Sequence, residues 1–374
     1  MPRIWSRFRT SAGGRRLLVV LLGLGAALLA RSGSADSPPA SGYGSAQTKA
    51  QGTVQAPATG TPAKAGRSWD APAGFEDLPV PADNPMTPAK VTLGGALFFD
   101  TRLSGDGSKS CYGCHVCEKG LTDGLPLAVG AFGKKLPRSS PTLWNIGYHK
   151  ELYWDGRSAS LEAQALAAWK GANMGANPDS IAVALNQIAG YKQQFQAVFG
   201  SEATPANITQ ALAAYERTIL CGNTAFDRWQ QGDEKAVSAE AKKGWELFRG
   251  KAACGTCHVG SLFTDLQYHN VGIGLDKPEP DLGRTKITKE AKHTGAFKTP
   301  TLRDITRSAP YFHDGSAATL EEAVKIMTGG GKSNPNLDPQ LKPANLTDTE
   351  MAALLEFLKT LDCPCDLTAP ELPK

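Results

Sequence analysis

Cys111-Tyr112-Gly113-Cys114-His115 and Cys254-Gly255-Thr256-Cys257-His258 are two copies of the pattern C-x-x-C-H in this 374-residue chain. Two thiols at this spacing can add to the two vinyl groups of haem, and the adjacent histidine then binds the iron. Zinc and structural disulfides are the alternatives, but zinc sites do not require histidine directly after both cysteine pairs. The motifs therefore predict two covalently attached c-type haems, with attachment sites at Cys111, Cys114, Cys254 and Cys257 and iron ligands at His115 and His258.

An internal repeat surrounds these motifs. Three segments recur with an offset of 159 residues and without a gap. The first copy reads Pro141-Thr142-Leu143, Tyr153-Trp154-Asp155-Gly156-Arg157 and Ser160-Leu161-Glu162, and the second reads Pro300-Thr301-Leu302, Phe312-His313-Asp314-Gly315-Ser316 and Thr319-Leu320-Glu321. Because one haem motif falls in each half, the repeat indicates a duplicated haem domain.

The two copies differ at one position that bears on the iron. Met327 lies 14 residues after His313, and the same step beyond Trp154 reaches Ala168. A thioether is a suitable iron ligand and raises the haem potential, whereas alanine cannot bind iron. We therefore expect a six-coordinate His258/Met327 haem that carries electrons and a first haem with an open sixth position. Core packing is the alternative role for Met327.

Charge and hydropathy indicate export. Residues 1–35 contain six arginines and no acidic residue, and an apolar run spans residues 17–30 before small residues at 33–35. This pattern predicts a signal peptide over residues 1–35 and a periplasmic protein, with an uncleaved membrane anchor as the alternative. Without these residues the chain, which has 40 basic and 36 acidic residues, is close to neutral. That balance argues against a nucleic-acid-binding function.

The remaining sequence predicts a mainly α protein with long loops. Residues 36–70, rich in Ala, Pro, Gly and Ser, read as a disordered tether. We place the N-terminal domain at residues 71–230 and the C-terminal domain at 231–374. Helical spacing covers 208–220, and capping-box patterns precede helices at Thr319-Glu322 and Thr347-Glu350.

Four cysteines and four histidines lie outside the haem motifs. In an oxidising compartment disulfides are expected, and Cys363 and Cys365 are too close in sequence for a relaxed local bridge. Cys117 with Cys221 is the pairing we predict. For His149 and His293 a hydrogen-bonded structural role is preferred; the other two are His269 and His313.

With these motifs in place, residues 75–362 resemble the bacterial dihaem cytochrome c peroxidases, a family that includes the MauG-type protein-oxidising enzymes. The resemblance rests on the two haem motifs and on the following segments: Leu97-Phe98-Phe99-Asp100 with Arg102-Leu103-Ser104, Thr122-Asp123-Gly124, Trp154-Asp155-Gly156-Arg157, Gln164, Phe226-Asp227-Arg228 and Pro310-Tyr311-Phe312-His313-Asp314-Gly315.

The resemblance implies two cytochrome c-like domains, each with one covalently attached c-type haem and joined by long loops. It also implies that hydrogen peroxide is reduced to water at the N-terminal haem. Electrons would enter at the C-terminal haem from a small c-type cytochrome or cupredoxin. Trp154 matches the tryptophan between the two haems, and Gln164 matches a distal-pocket glutamine. Some relatives are homodimers, which makes a homodimer one expectation.

Three departures from the family pattern matter. The loop at residues 127–131 lacks the histidine that closes the N-terminal haem in many members, in agreement with an open iron. The distal glutamate falls on Met174 or, with a one-residue slip, on Asn173, and neither side chain replaces a carboxyl group in proton transfer. The family's calcium-binding asparagine aligns with Ser139, and its carbonyl ligands map to Ser308 and Pro310. A serine hydroxyl binds calcium more weakly, so the resemblance implies a weaker calcium site.

Three functions remain open. The leading one is a dihaem peroxidase. The second is a MauG-like oxidase of a partner protein, against which Met327 argues because that enzyme has a tyrosine ligand there. The third is a dihaem electron-transfer or sensor protein with little turnover, which the missing distal glutamate keeps open.

Overall fold

The helices follow one another along a chain with little β-structure. The computed structural model describes residues 69–374, and these residues belong to one unit that begins at residue 62. The α-helices of this part are α1 (Pro88–Phe99), α2 (Leu161–Lys170), α3 (Pro178–Asn186), α4 (Ala189–Phe199), α5 (Pro205–Glu216), α6 (Ala225–Gln230), α7 (Ala239–Arg249), α8 (Thr285–Thr288), α9 (Leu320–Thr328) and α10 (Asp348–Lys359). Two short antiparallel strands, β1 (Tyr268–Asn270) and β2 (Ala296–Lys298), pair with Tyr268 opposite Lys298.

Each half of the described chain is built on one close helix crossing. A Cβ atom added to Gly94 in α1 would lie 2.0 Å from the Ala211 carbonyl oxygen in α5. In the second half, a Cβ on Gly244 in α7 would lie 2.0 Å from the Ala353 carbonyl oxygen in α10. Only glycine lets the two backbones approach this closely. Helices α1 to α10 confirm the prediction of a mainly helical fold, and the two crossings give each half of it the same kind of helix pair.

The predicted helix starts are confirmed by their capping geometry. Thr319 Oγ1 accepts a hydrogen bond from the Glu322 N–H, and the Glu322 carboxylate accepts one from the Thr319 N–H. Thr347 and Glu350 form the same reciprocal pair at the start of α10. Of the segment with helical spacing at 208–220, residues 208–216 lie in α5, and the helix ends at Glu216, four residues before the end of that segment. Reciprocal caps satisfy backbone N–H groups that the first turn of a helix leaves unpaired.

The sequence repeat is also a structural repeat. The Ser139 N–H donates to the His313 carbonyl at 2.8 Å, and the Lys298 N–H donates to the Trp154 carbonyl at 2.8 Å. Each of these bonds maps onto the other when both residues are shifted by the 159-residue offset. The two copies therefore join each other reciprocally, and this junction brings Trp154 and His313 together.

The C-terminal segment returns to the first half of the chain. Disulfides join Cys117 to Cys365 and Cys221 to Cys363, so the expected Cys117–Cys221 pairing is wrong. The expectation that Cys363 and Cys365 do not bridge each other is confirmed. Both lie in the segment after α10, and each reaches a different cysteine of the N-terminal half. Sequence spacing carries no information on this long-range pairing.

The predicted signal peptide and residues 36–68 of the tether lie outside the described residues. Within residues 69–374, no helix is both long and apolar enough to cross a membrane.

Candidate haem centres

The thiols of the two C-x-x-C-H motifs are available for thioether formation. Within the described residues, the cysteines outside disulfides are those four: Cys111, Cys114, Cys254 and Cys257. All four are partly exposed, as thiols that must meet a cofactor would be. The other cysteines of this region are consumed in the two disulfides. The division of the eight cysteines therefore fits two c-type haems.

Both motif histidines are oriented for iron binding through Nε2. His115 Nδ1 lies 3.0 Å from the Leu121 carbonyl oxygen, and His258 Nδ1 lies 2.9 Å from the Phe263 carbonyl oxygen. A carbonyl only accepts, so each Nδ1 carries the proton and leaves the Nε2 lone pair for a metal. Burial lowers the pKa of both imidazoles, which favours the neutral ligand form.

An apolar cavity of about 410 Å³ adjoins the second motif. Cys254, Cys257 and His258 line it, and so does Met327 from helix α9. Met327 is therefore placed on the same cavity as the histidine ligand, as the His258/Met327 pair requires. Leu358 of α10 also lines the cavity, together with Trp154 from the first half.

The repeat indicates which residues of the first half correspond to this cavity wall. Helix α2 corresponds to α9 at the 159-residue offset, so Gln164 corresponds to Ala323 and Ala168 to Met327. Both Ala323 and Met327 line the second cavity. By this correspondence, we expect Gln164 and Ala168 to lie on the wall of the first haem site. A polar amide in place of Ala323 and a methyl group in place of Met327 at that site stay predictions from the repeat.

Trp154 sits at the junction of the two halves. Its ring centroid lies 6.5 Å from that of His313, and its indole N–H donates to the Ser139 carbonyl at 3.0 Å. His313 in turn stacks on Phe297 with centroids 3.6 Å apart. The resulting aromatic cluster borders the second cavity from the side of the first domain.

A set of zinc-like ligands occurs near the second motif. Among the described residues, Cys257, Asp265 and His269 have ligand atoms within 4.8 Å of one another. This set uses one cysteine of the C-x-x-C pair, and His269 is already bonded to Asp265 and Asp338 at 2.9 and 2.6 Å. The full motif fits haem better than it fits zinc.

Comparison with known proteins agrees with this geometry. The model of the di-haem cytochrome c peroxidase family matches residues 88–235, and the cytochrome c model matches residues 241–362. Over 304 residues the chain is 42% identical to the methylamine utilization protein MauG of Methylorubrum extorquens, covering 80% of this chain and 85% of that protein. The chain belongs to the family of dihaem cytochrome c peroxidases and MauG proteins.

Other members of this family are also similar. Cytochrome-c peroxidase IdrP1 of Denitromonas iodatirespirans is 38% identical over 357 residues, covering 86% of this chain and 94% of that protein. A crystal structure of a MauG-like protein associated with microbial copper homeostasis matches with a TM-score of 0.75 and 34% identity. That match covers 81% of this chain and 97% of the other. The family indicates two c-type haems and an oxidoreductase.

Met174, which the resemblance aligns with the family's distal glutamate, lies in apolar surroundings. Met174 is 7% exposed and belongs to the hydrophobic core of the first half. The neighbouring Asn173 accepts a bond from the Ala131 N–H through its backbone carbonyl. The sequence alone shows that residues 173 and 174 carry no carboxyl group. The structure adds that Met174 lies in the core.

A different carboxyl group is buried against the first haem motif. Glu216, the last residue of α5, is 5% exposed, and its Oε2 has no hydrogen-bond partner within the described residues. Burial raises the pKa of the Cys111 thiol, and the nearby Glu216 carboxylate raises it further. Burial likewise raises the pKa of Glu216 to about 8. Ala211 and Ala353 stand at the helix crossings of the two halves. Glu216 lies five residues after Ala211, and Leu358, which lines the second cavity, lies five residues after Ala353. Glu216 and Leu358 therefore occupy corresponding positions in the two halves.

The three candidate calcium residues lie on one wall. Ser139, Ser308 and Pro310 all line the second cavity. The Ser139 hydroxyl donates to the Phe312 carbonyl at 2.9 Å, and the Ser308 hydroxyl donates to the Ile305 carbonyl at 3.2 Å. The Ser139 and Ser308 hydroxyls are therefore engaged with backbone carbonyls, whereas Ser308 and Pro310 would offer calcium their own backbone carbonyls. Calcium stays a prediction for this family member.

Two further pairs of neighbouring residues were not predicted from the sequence. His149 and Lys298 meet beside Trp154, and Glu216 lies close enough to Cys111 to act on it electrostatically. Both histidines for which a structural role is preferred are hydrogen-bonded: His293 to the Thr288 hydroxyl at 2.9 Å, and His149 Nδ1 to the Lys298 ammonium at 3.1 Å. Contacts between residues 149 and 298 have no local sequence signature, but the repeat could have pointed to Lys298 as the counterpart of Ser139.

Proposed function

We propose that this protein is a periplasmic dihaem peroxidase that reduces hydrogen peroxide to water. Its electrons would come from a small c-type cytochrome or a cupredoxin. The proposal for location rests on the signal-peptide pattern of residues 1–35. The proposal for the reaction rests on the family and on the unequal haem sites.

The observation that carries the proposal is the contrast between Met327 and Ala168. Met327 lines the second cavity together with His258, whereas the corresponding position of the first site holds a methyl group. A thioether suits a haem that carries electrons, and a site without a sixth side-chain ligand leaves room for a small molecule. When bound, the haems supply the redox chemistry of peroxide reduction.

The residues of the chain divide the remaining tasks. Trp154 offers an aromatic ring between the two halves, in contact with the cavity of the His258 haem. The Gln164 amide can donate to and accept from peroxide, but it does not titrate near neutral pH. Without a carboxyl group at Met174, general acid–base assistance is weak, which typically costs about 10²–10⁴-fold in rate. We therefore expect ready ligand binding and slow turnover.

The test is steady-state peroxide consumption with a reduced c-type cytochrome, together with cyanide titration of the fully oxidised protein. We expect cyanide to bind one haem without prior reduction. We expect Met174→Glu or, in the slipped register, Asn173→Glu to raise turnover. Refusal of cyanide at both haems, or a rate improved by neither substitution, would contradict the proposal.

A second candidate is MauG-like oxidation of a partner protein. It is favoured by the 42% identity to the methylamine utilization protein MauG. It predicts a stable, peroxide-oxidised form of the protein that persists when no donor cytochrome is present. A third candidate, a dihaem electron-transfer or sensor protein, predicts two redox-active haems and no measurable peroxide consumption. Peroxide consumption with the donor separates the first candidate from the third, and the spectrum of the peroxide-treated protein without a donor identifies the second.

Calcium binding and a homodimer complete the proposal. Ser139, Ser308 and Pro310 would supply oxygen ligands, and a hydroxyl in place of an amide would weaken the site. Removal of calcium with a chelator should then change the spectrum of the partly reduced protein. Sedimentation of the holoprotein with and without calcium tests the dimer.

A further inference from the structure

Lys298 is a buried cation at the junction of the two domains. It is 8% exposed, and its ammonium donates to the Glu151 carbonyl at 2.6 Å and to His149 Nδ1 at 3.1 Å. Its backbone N–H donates to the Trp154 carbonyl at 2.8 Å. A buried ammonium is costly unless an anion compensates it. Neither partner of the ammonium is an anion.

The acidic groups around Lys298 are engaged elsewhere. The Glu151 carboxylate accepts from the Tyr268 hydroxyl at 2.7 Å and from Arg284 at 2.9 Å. Asp155 is paired with Arg138 and Arg157, at 2.8 and 2.9 Å. Burial accordingly lowers the pKa of Lys298 to about 8, and these carboxylates offset the effect only in part. The ammonium still has one N–H without a partner among the described residues.

His149 adds a second unused donor at the same place. An ammonium has only protons to offer, so His149 Nδ1 must accept and the neutral ring carries its proton on Nε2. Nε2 is buried and has no hydrogen-bond partner in the described part of the chain. Burial, and then the charge of Lys298, lower the pKa of His149, which keeps the ring neutral. A buried N–H donor without a partner indicates a missing acceptor.

Both donors border the cavity of the second haem. His149 and Lys298 line the same cavity as Cys254, Cys257, His258 and Met327. Thioether attachment holds the vinyl edge of a haem at the cysteines, and the two propionates stand on the opposite edge of the ring. The propionates are the only anionic substituents that the haem carries. A cation and a neutral N–H donor side by side match one carboxylate.

We propose that Lys298 Nζ and His149 Nε2 form a carboxylate site that holds a propionate of the haem attached at Cys254 and Cys257. The proposal rests on haem attachment at this motif and not on the peroxidase reaction. The repeat gives the site a counterpart: Lys298 corresponds to Ser139, His149 to Ser308 and Glu151 to Pro310. The predicted calcium site and the Lys298 ammonium therefore occupy corresponding positions in the two copies of the repeat. A bound calcium ion would supply the positive charge at the first position, and the lysine side chain supplies it at the second.

The experiment compares Lys298→Met with Lys292→Met in the purified holoprotein. Lys292 is exposed and paired with Glu290, so its loss controls for the removal of one positive charge. A cation at a propionate favours the reduced haem. We expect Lys298→Met to weaken reduction of the His/Met haem about tenfold, equivalent to about 59 mV for a one-electron couple. The His115 haem and the Lys292→Met protein should keep their potentials.

A second pair of variants separates the two donors. His149→Gln keeps an N–H donor of similar reach and should stay close to wild type, whereas His149→Leu removes it and should shift the potential in the same direction as Lys298→Met. Haem content is measured first by mass spectrometry. If a variant lacks its second haem, the wild type is measured instead by resonance Raman spectroscopy in the propionate region, in H₂O and in D₂O. Unchanged potentials in both Lys298→Met and His149→Leu, a shift confined to the His115 haem, or a propionate band insensitive to deuterium would overturn the proposal.

Discussion

At the scale of single residues, one position distinguishes the two haem sites. Met327 in α9 lines the second cavity, and Ala168 stands in its place in α2. We expect Met327→Ala to remove the low-spin His/Met spectrum and to lower the midpoint potential of the C-terminal haem, because a thioether ligand raises the potential. Spectropotentiometry measures both. Met351→Ala, in α10, is the matched control, and a Met327→Ala spectrum equal to wild type would reduce Met327 to a packing residue.

Glu216 shows how a buried carboxyl group makes stability depend on pH. Burial raises the pKa of Glu216 from 4.5 to about 8 in the folded protein. The folded state therefore binds the proton more tightly than the unfolded state. The stability that this proton contributes is fully present below about pH 4.5 and is lost as the pH rises through about 8, at about 1.4 kcal/mol per pH unit.

We accordingly expect Glu216→Gln to stabilise the holoprotein at pH 9 relative to wild type and to change it little at pH 4.5. Denaturant unfolding at several pH values measures this, with exposed Glu202→Gln as control. A parallel pH dependence of wild type and Glu216→Gln would show that Glu216 does not titrate in this range.

At the scale of helices, the two crossings position the haem motifs. Helices α1 and α5 touch at Gly94, and α7 and α10 touch at Gly244. We expect Gly94→Ala to destabilise the first domain by several kcal/mol and to lower its haem incorporation, because the new methyl group would lie 2.0 Å from the Ala211 carbonyl oxygen.

The adjacent helical glycine provides the control for this change. A Cβ on Gly95 would meet only the ring of Tyr215, at 3.2 Å. Both substitutions gain about 1 kcal/mol of helix propensity, so the difference between them isolates the backbone clash. Thermal unfolding and haem content should separate the two variants, and equal stabilities would mean that the helices slide apart without cost.

At the scale of the whole molecule, sequence reasoning worked where the signal was local or repeated. The C-x-x-C-H motifs, the reciprocal caps at Thr319 and Thr347, and the 159-residue repeat each depend on short spacing or on self-similarity. The Cys117–Cys221 pairing failed because the chain folds back after α10. The electrostatic interaction of Glu216 with Cys111 and the His149–Lys298 hydrogen bond were missed because each joins residues more than one hundred positions apart. Nothing in the sequence distinguishes a buried glutamate in a helix from an exposed one.

The returning C-terminal segment ties the molecule together and supplies the last prediction. Cys363 and Cys365 bridge to Cys221 and Cys117, and the Pro373 carbonyl accepts from Arg102 at 3.1 Å. The bridges close loops of 142 and 248 residues, which restricts the unfolded chain. We expect Cys363→Ser with Cys365→Ser to cost about 2–5 kcal/mol for each lost bridge. The free-energy loss should appear in denaturant unfolding followed by tryptophan fluorescence, while both haems stay attached, because the motif cysteines are untouched. Single substitutions should each give about half of the loss, and a double variant as stable as the wild type would show that packing alone holds the segment in place.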